Sequence, residues 1–301
     1  MQNKYKVYQV DAFTTKKFSG NPASVVSNAA GLTENQMQDI AREMNNSETA
    51  FILPSANKNY DIEIRYFTPT TEVPICGHAT IAAHYVRASE AKAINSRVIY
   101  KTRAGILPAD ILKIRNGHKI VMTQGKIEFG EIIDGNSKKI LMQALQLKKE
   151  DLDNRCPIQI VSTGHSKVMI GIKKSEKLNS ISPDLQALKE LSKNIGCNGY
   201  FVFTFDSKDF NILTNGRMFA PAIGINEDPV TGNANGPLGA YIVHHKLVRN
   251  NGKEFHFKAK QGEAIRRTGT VDVNVKILNG KPIEVKISGN AVIVFKTEIK
   301  L

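Results

Sequence analysis

Alternating apolar and polar positions recur along much of this 301-residue chain. Alternation with a period of two is typical of a strand that buries one face. Short apolar runs between turn residues point the same way. Together they predict strands or groups of short strands over residues 5–13, 23–26, 47–53, 62–67, 97–123, 158–161, 167–170 and 255–296.

Four stretches carry helical periodicity instead. The first begins at Thr33, which forms a capping box with Gln36, and the third is expected over 183–195 after a Ser182 cap. The helices expected over 79–91 and 235–246 carry few charges, which indicates burial. The mixture predicts an α+β protein in which sheets or barrels of mostly antiparallel strands wrap around an apolar helix.

Two polar motifs show that the chain is a duplication. Residues 72–80 read EVPICGHAT and residues 227–235 read EDPVTGNAN. An Arg-x-Phe-x-Pro element precedes each motif, at 65–69 and 217–221, and an apolar helix follows each. Because strand, turn, helix and motif follow in the same order, we expect the two motifs to face each other across a cleft.

The duplication predicts two similar domains, which suits a chain of this length. We expect an N-terminal domain over 1–125, completed by the C-terminal strand 288–301, and a second domain over 126–287. The turn-rich stretch 124–137 would hold the boundary.

Composition narrows the class of protein. The formal net charge is +13, but the Lys and Arg residues are dispersed, which indicates a lysine-rich soluble surface and not a nucleic-acid site. No apolar run approaches the roughly 20 residues of a membrane span, and no signal peptide is evident. Three cysteines without a Cys-x-x-Cys argue against a disulfide framework and against zinc. A cytoplasmic protein is expected, without membrane or nucleic-acid partners.

Gly77 and Gly232 each open a predicted helix. The first N–H groups of a helix are unpaired and carry the positive end of its dipole. Each glycine taken alone is typical of a tight turn. As a pair in a duplication, the two predict a binding place for an anion such as a carboxylate.

Three further residues carry candidate acid/base chemistry. Glu48 lies in an apolar, strand-like stretch, and burial there would raise its pKa and suit a general acid or base that works near neutral pH. We align it with Asn198 in the second half, so that one half alone would hold the carboxylate. His78 and Asp228 lie on the two motifs, where they could relay or hold a proton. A structural role for each residue is the alternative.

Other candidates have less support. His165 lies in a turn that corresponds to the turn at Asn21, and both could line the cleft. Cys76 precedes Gly77 as a reactive thiol might, but its counterpart is Thr231, so a mechanism with two thiols is not available. No nucleotide, flavin, pyridoxal phosphate or metal motif is found, so we expect no cofactor and no metal.

At this point the motifs resemble a known family, the phenazine biosynthesis PhzF-like isomerases of the diaminopimelate epimerase fold superfamily. The form of the second motif is similar to the bacterial YddE-type branch. The resemblance covers nearly the whole chain and rests on residues 10–13, 20–23, 47–51, 65–69, 76–80, 163–166, 227–234 and 288–292.

The resemblance implies two domains, each a barrel-like sheet around a central helix, and a homodimer. It implies proton transfer without a cofactor, in which Glu48 is the acid/base and His78 and Asp228 support it. The expected substrate-binding residues are Asn21, Gly77, Ala79, His165, Gly232 and Asn233. Asn233 departs from the serine that is common in the family at this position.

These observations lead to one hypothesis and two alternatives. The chain is expected to be an isomerase that moves a proton on a small, carboxylate-bearing metabolite in the interdomain cleft. The alternatives are an amino-acid epimerase or racemase, and a non-catalytic binding protein on the same fold.

Overall fold

The computed structural model describes residues 3–301, and the chain divides into two compact units. The first unit comprises Met1–Met122 and Ser288–Leu301, and the second comprises Thr123–Ile287. The last strand of the chain therefore begins in one unit and ends in the other.

Seventeen strands are found in the described part of the chain. In order they are β1 (Lys4–Ala12), β2 (Asn21–Val26), β3 (Thr49–Pro54), β4 (Ile62–Phe67), β5 (Glu72–Val73), β6 (Ser96–Thr102), β7 (Gly105–Ile114), β8 (Gly117–Thr123), β9 (Glu128–Ile132), β10 (Gln159–Ser162), β11 (Ser166–Ile172), β12 (Tyr200–Thr204), β13 (Thr214–Ala220), β14 (Ile225–Asp228), β15 (Glu254–Gln261), β16 (Gly269–Leu278) and β17 (Lys281–Lys300).

Residues 3–301 also contain six α-helices. They are α1 (Glu34–Met44), α2 (Gly77–Glu90), α3 (Gly135–Ala144), α4 (Ser175–Ser180), α5 (Leu185–Ile195) and α6 (Gly232–His244). Two short 3-10 helices cover Lys149–Asp151 and Pro221–Ile223.

The first unit is a closed sheet around α2. Strand β1 pairs with β17 and β2, and the pairing continues through β3, β4, β6, β7 and β8 back to β17. Within the first unit, β2–β3 and β4–β6 are the only parallel pairs among those with a described register. Helix α2 contacts β1, β2, β3 and β7, and its first eight residues are all buried. The alanines of α2 leave room for this because they add little volume around the axis.

The second unit repeats this order of pairing. Strands β9, β10, β11, β12, β13, β15 and β16 pair in turn, and the parallel pairs β11–β12 and β13–β15 correspond to β2–β3 and β4–β6. Helix α6 packs against β10, β11, β15 and β16. At Gly239 an added Cβ would lie 2.7 Å from Val273, so glycine allows the helix to approach the sheet closely. The predicted α+β class and the duplication of the chain agree with this architecture.

The surface helices differ in part from the helices and caps that the sequence pattern predicted. The capping box of Thr33 and Gln36 is present, as predicted. Helix α5 is capped by Asp184, whose side chain accepts the Ala187 N–H, and not by the expected Ser182. Helix α3 begins within the stretch 124–137 that was predicted to be rich in turns. Its first residues, Gly135 and Asn136, are typical of turns, so the helix was not predicted. The helix buries Leu141 in the core of the second unit.

Candidate functional site

An ion pair fixes the first motif before its helix begins. Arg65 on β4 donates two hydrogen bonds to Glu72 on β5, each 2.7 Å long, and its guanidinium lies over the ring of Phe67. Bidentate pairs of this kind set geometry as well as energy. They explain why the Arg-x-Phe-x-Pro element precedes the motif: it anchors the strand that delivers the chain to α2.

Helix α2 begins at Gly77 without a side-chain cap. The side chain of the N-cap residue, Cys76, does not cap the backbone N–H groups of the first turn, whereas the surface helices α1 and α5 are capped by the side chains of Thr33 and Asp184. The first turn of α2, including Ala79, is buried. This helix start therefore retains the dipole and N–H groups that favour an anion.

Glu48 and His78 form a partly enclosed pair at this helix start. Glu48 Oε2 lies 3.3 Å from His78 Nε2, and the two side chains are 13% and 8% exposed. Ser47 Oγ lies 3.2 Å from the same ring nitrogen. A carboxylate in contact with an imidazole can take a proton from carbon and pass it on, which is the arrangement that general acid–base catalysis requires.

Local hydrogen bonds position Glu48 immediately before β3. Its carbonyl oxygen accepts the N–H of Ser24, and the preceding Asn46 donates to Gln9 Oε1 and to Ser24 Oγ. Two neighbouring strands thus hold the loop that carries the carboxylate. Sequence reasoning missed this support by Gln9 and Asn46, because neither residue belongs to a motif.

Cys76 completes a cluster of three reactive side chains. Its Sγ lies 3.4 Å from His78 Nδ1, and the thiol is buried. One ligand atom from each of Glu48, Cys76 and His78 lies within 4.8 Å of the others, so the three could hold a metal ion. The sequence predicted no metal because the ligands are not in a recognisable spacing.

The second motif has the same frame. Arg217 donates to both oxygens of Glu227, at 2.9 and 2.7 Å, and lies over the ring of Phe219. Helix α6 begins at Gly232, and its N-cap residue, Thr231, makes no side-chain hydrogen bond to the first turn. The equivalence of the motifs, predicted from sequence, extends to these side-chain contacts.

Asp228 lies at the end of β14 and is 8% exposed. Thr231 Oγ1 donates to its carboxylate, and Gln261 Nε2 donates to its carbonyl oxygen at 2.8 Å. Gln261 Oε1 in turn accepts the Thr231 N–H and an amide N–H of Asn235. Gln261 therefore shapes the second motif, and no sequence signal identified it because it lies on a distant strand.

The remaining predicted residues lie at the ends of strands and helices. Asn21 is fully buried as the first residue of β2, and Asn233, the second residue of α6, is half-buried. His165 lies in the turn between β10 and β11 with part of its ring exposed. Burial of the rest of the ring lowers its pKa, and the charge of Lys167 lowers it further.

The strand registers correct the predicted match of Glu48 with Asn198. Thr49 lies opposite Phe67, and Tyr200 lies opposite Phe219. Because the two phenylalanines belong to the equivalent motifs, Thr49 corresponds to Tyr200. The residue that corresponds to Glu48 is therefore Gly199, one position beyond Asn198.

Lys167 fills the space beside Gly199. A Cβ added to this glycine would lie 2.3 Å from Lys167 Cδ. By the paired registers Lys167 corresponds to Ala23, which is small and fully buried. Burial lowers the pKa of the Lys167 amine, against the opposing charges of Cys197 and Asp228. Large and small residues have thus been exchanged between the two units.

Another buried histidine has no place among these groups. His84 is fully buried in α2 against the ring of Tyr100, and burial, with a smaller contribution from Arg87, lowers its pKa to about 3. It remains neutral at physiological pH.

Across residues 3–301, no helix combines the length and the apolar character of a membrane span.

Comparison with known proteins gives a consistent result. The model of the PhzC-PhzF family, described as phenazine biosynthesis-like protein, matches residues 10–297. An uncharacterized isomerase of Clostridium acetobutylicum is 62% identical over 301 residues, with full coverage of both chains. The uncharacterized isomerase YddE of Escherichia coli O157:H7 is 49% identical over 295 residues, with 98% of each chain covered.

Solved structures agree in fold. The phenazine biosynthesis protein of the PhzF family from Bacillus anthracis superposes with a TM-score of 0.88 at 32% identity, over 99% of both chains. The predicted resemblance and the epimerase-like α+β fold are therefore confirmed.

Proposed function

The chain belongs to the PhzC-PhzF family of phenazine biosynthesis-like proteins, and we propose that it is an isomerase. Its substrate would be a small metabolite that carries a carboxylate. The reaction would move a proton from one atom of the metabolite to another by general acid–base catalysis, without a cofactor. The relatives that are named isomerases support the class of reaction.

The Glu48–His78 pair is the observation that carries this proposal. The two groups lie 3.3 Å apart and are largely shielded from water at the start of α2. Glu48 would remove the proton and return it, and His78 would hold or relay it. The substrate carboxylate would lie at the uncapped start of the helix, where backbone N–H groups attract an anion.

Asp228 and the start of α6 extend the proposal to the second unit. The Thr231 hydroxyl donates to Asp228, so this carboxylate is held in one orientation. The Asp228→Asn variant should lose turnover if both units act on one substrate. The shared cleft, the homodimer, the cytoplasmic location and the substrate-binding roles of Asn21, His165 and Asn233 stay predictions.

Epimerisation of an amino acid is a second candidate function. It is favoured by the Cys76 thiol, which lies 3.4 Å from His78 Nδ1, close enough to exchange a proton with it. The equivalent residue in the second motif is Thr231, whose hydroxyl is engaged by Asp228. A mechanism with two thiols would therefore lack its second thiol, which favours the isomerase.

Isotope exchange tests these functions together. The purified protein is incubated in D₂O with a library of small carboxylates, and each compound is examined by mass spectrometry and chiral chromatography. An isomerase should yield a deuterated constitutional isomer of at least one compound. A deuterated stereoisomer would establish the epimerase instead. A compound that binds but never exchanges would contradict both and leave a binding protein.

A further inference from the structure

The first unit brings together three kinds of metal ligand. Cys76 supplies a sulfur, His78 a ring nitrogen and Glu48 a carboxylate oxygen, all within 4.8 Å of one another. His78 Nε2 lies 3.3 Å from Glu48 Oε2 and 3.9 Å from Cys76 Sγ. All three side chains are largely buried, so a cation between them would be shielded from water.

The His78–Glu48 and His78–Cys76 separations are close to those of a tetrahedral metal centre. Zinc lies about 2.3 Å from sulfur and about 2.0–2.2 Å from nitrogen and oxygen, which places neighbouring ligand atoms roughly 3.3–3.6 Å apart. The His78–Glu48 separation falls at the short end of that range. The Cys76–His78 separation is slightly longer, and a small side-chain rotation would shorten it.

The ligand types select the metal. Thiolate and imidazole favour Zn²⁺ and similar transition-metal ions, whereas Mg²⁺ and Ca²⁺ require oxygen ligands. Within residues 3–301, Glu48 Oε2 is buried and accepts no hydrogen bond. His78 Nε2 lies 3.3 Å from this oxygen, and a cation between the two would coordinate both atoms.

We propose that Cys76, His78 and Glu48 form a three-ligand site for Zn²⁺ with one coordination position open. When the metal binds, a sulfur–metal bond forms, the thiol proton leaves to solvent, and no group is oxidised or reduced. Ser47, which lies 3.2 Å from His78 Nε2, must release that nitrogen.

Occupation of this site blocks the acid/base pair. Both side chains assigned to proton transfer become metal ligands, so Zn²⁺ inhibits the enzyme. This consequence rests on the proposed function, whereas the metal site itself does not.

Cobalt substitution tests the site without any substrate. Co²⁺ is titrated into the metal-free protein, and the thiolate-to-cobalt charge-transfer band and the visible bands of tetrahedral cobalt are followed. One equivalent should saturate both, and Zn²⁺ should abolish them by displacement. Saturation without a charge-transfer band would overturn the proposal, because Cys76 would then not be a ligand.

Variants assign the ligands. Cys76→Ser should remove the charge-transfer band, while Cys156→Ser, which alters a buried thiol of the second unit, should keep it. His78→Gln should weaken Co²⁺ binding at least about 100-fold, the upper end of the effect of losing an outer-shell partner. The His78→Gln variant is an independent test if Cys76→Ser does not fold. A band that persists in Cys76→Ser, or unchanged affinity in His78→Gln, would refute the site.

The inhibition is measured separately, with a substrate from the exchange screen. Turnover should fall as Zn²⁺ saturates the site, with the midpoint at the concentration that displaces Co²⁺, and a chelator should restore it. Saturation without inhibition would contradict the proposed roles of Glu48 and His78, although the metal site would stand. The protein could instead turn over the substrate, bind no Co²⁺ at this site and show no inhibition by Zn²⁺. That result would refute the metal proposal and leave the proposed function intact.

Discussion

The two units of this protein share the contacts that position their motifs and differ in the side chains beside those motifs. Each has a bidentate Arg–Glu pair with the arginine over a phenylalanine, and each has a buried helix that begins at glycine without a side-chain cap. At equivalent positions, however, the first unit has Ala23 and Glu48, whereas the second has Lys167 and Gly199.

The comparison distinguishes residues that both units share from residues, such as the acid/base pair, that only one unit has. The Arg–Glu pairs common to both units hold strands together, so folding explains their presence twice, whereas the uncapped helix starts also offer N–H groups to the substrate carboxylate in the proposed function. The acid/base pair is present once, because Gly199 has no side chain and Asn233 stands where the first unit has His78. In the second unit a lysine stem occupies the space beside Gly199. The chemistry is therefore expected to depend on the residues that differ.

The largest expected effect is the loss of the Glu48 carboxylate. Glu48→Gln preserves size but cannot accept a proton, so turnover of the substrate should fall about 10²–10⁴-fold. Steady-state rates with a substrate from the exchange screen measure this. The matched control is Glu63→Gln, which alters a carboxylate of the same unit that pairs with Lys101.

The control should retain nearly full activity. If Glu48→Gln were as active as Glu63→Gln, the asymmetry between the units would have no catalytic meaning. Circular dichroism and thermal melting would confirm that both variants are folded.

The shared frame predicts a smaller and unequal effect on stability. Arg217→Met leaves Glu227, whose side chain is only 13% exposed, without its partner and should cost about 3–5 kcal/mol in the free energy of unfolding. Arg65→Met should cost roughly half of that or less, because Glu72 keeps an ion pair of 2.6 Å with Arg103. Urea denaturation of both variants measures the two costs. Equal costs would show that Arg103 does not compensate.

The smallest effect concerns Lys167 and depends on pH. Burial lowers the pKa of its amine below the unfolded value of 10.5, so the folded chain binds fewer protons between those two pKa values. Stability from this group therefore rises with pH across that window and is lowest below it. As the pH rises to 10, the unfolding free energy of the unaltered chain should therefore increase relative to that of Lys167→Met. A difference independent of pH would show that the amine is not desolvated.

Much of this architecture could be predicted from sequence, for identifiable reasons. Alternation and apolar helices predicted the α+β class, and the repeated motifs predicted the equivalence of Arg65 with Arg217 and of Gly77 with Gly232. These features are local, so a short window of sequence contains them. The supporting role of His78 toward Glu48 follows from the family resemblance alone, and the contact between the two side chains is seen only in the structure.

The remaining features depend on contacts between distant residues. Gln261 and Asn46 support the two motifs through hydrogen bonds that no local pattern reveals. Counting along the chain matched Glu48 with Asn198, whereas the strand registers place Gly199 there. A shift of one residue reverses the face of a strand, which is why register had to be observed.

The central claim is that Glu48 and His78 act as one proton-transferring pair. A double-mutant cycle tests it most directly, with kcat/KM measured for Glu48→Gln, His78→Gln and the double variant on one substrate. Because residues that act as a unit are not additive, the double variant should be about as slow as the slower single variant. Losses that multiply, as they do for independent sites, would contradict the claim.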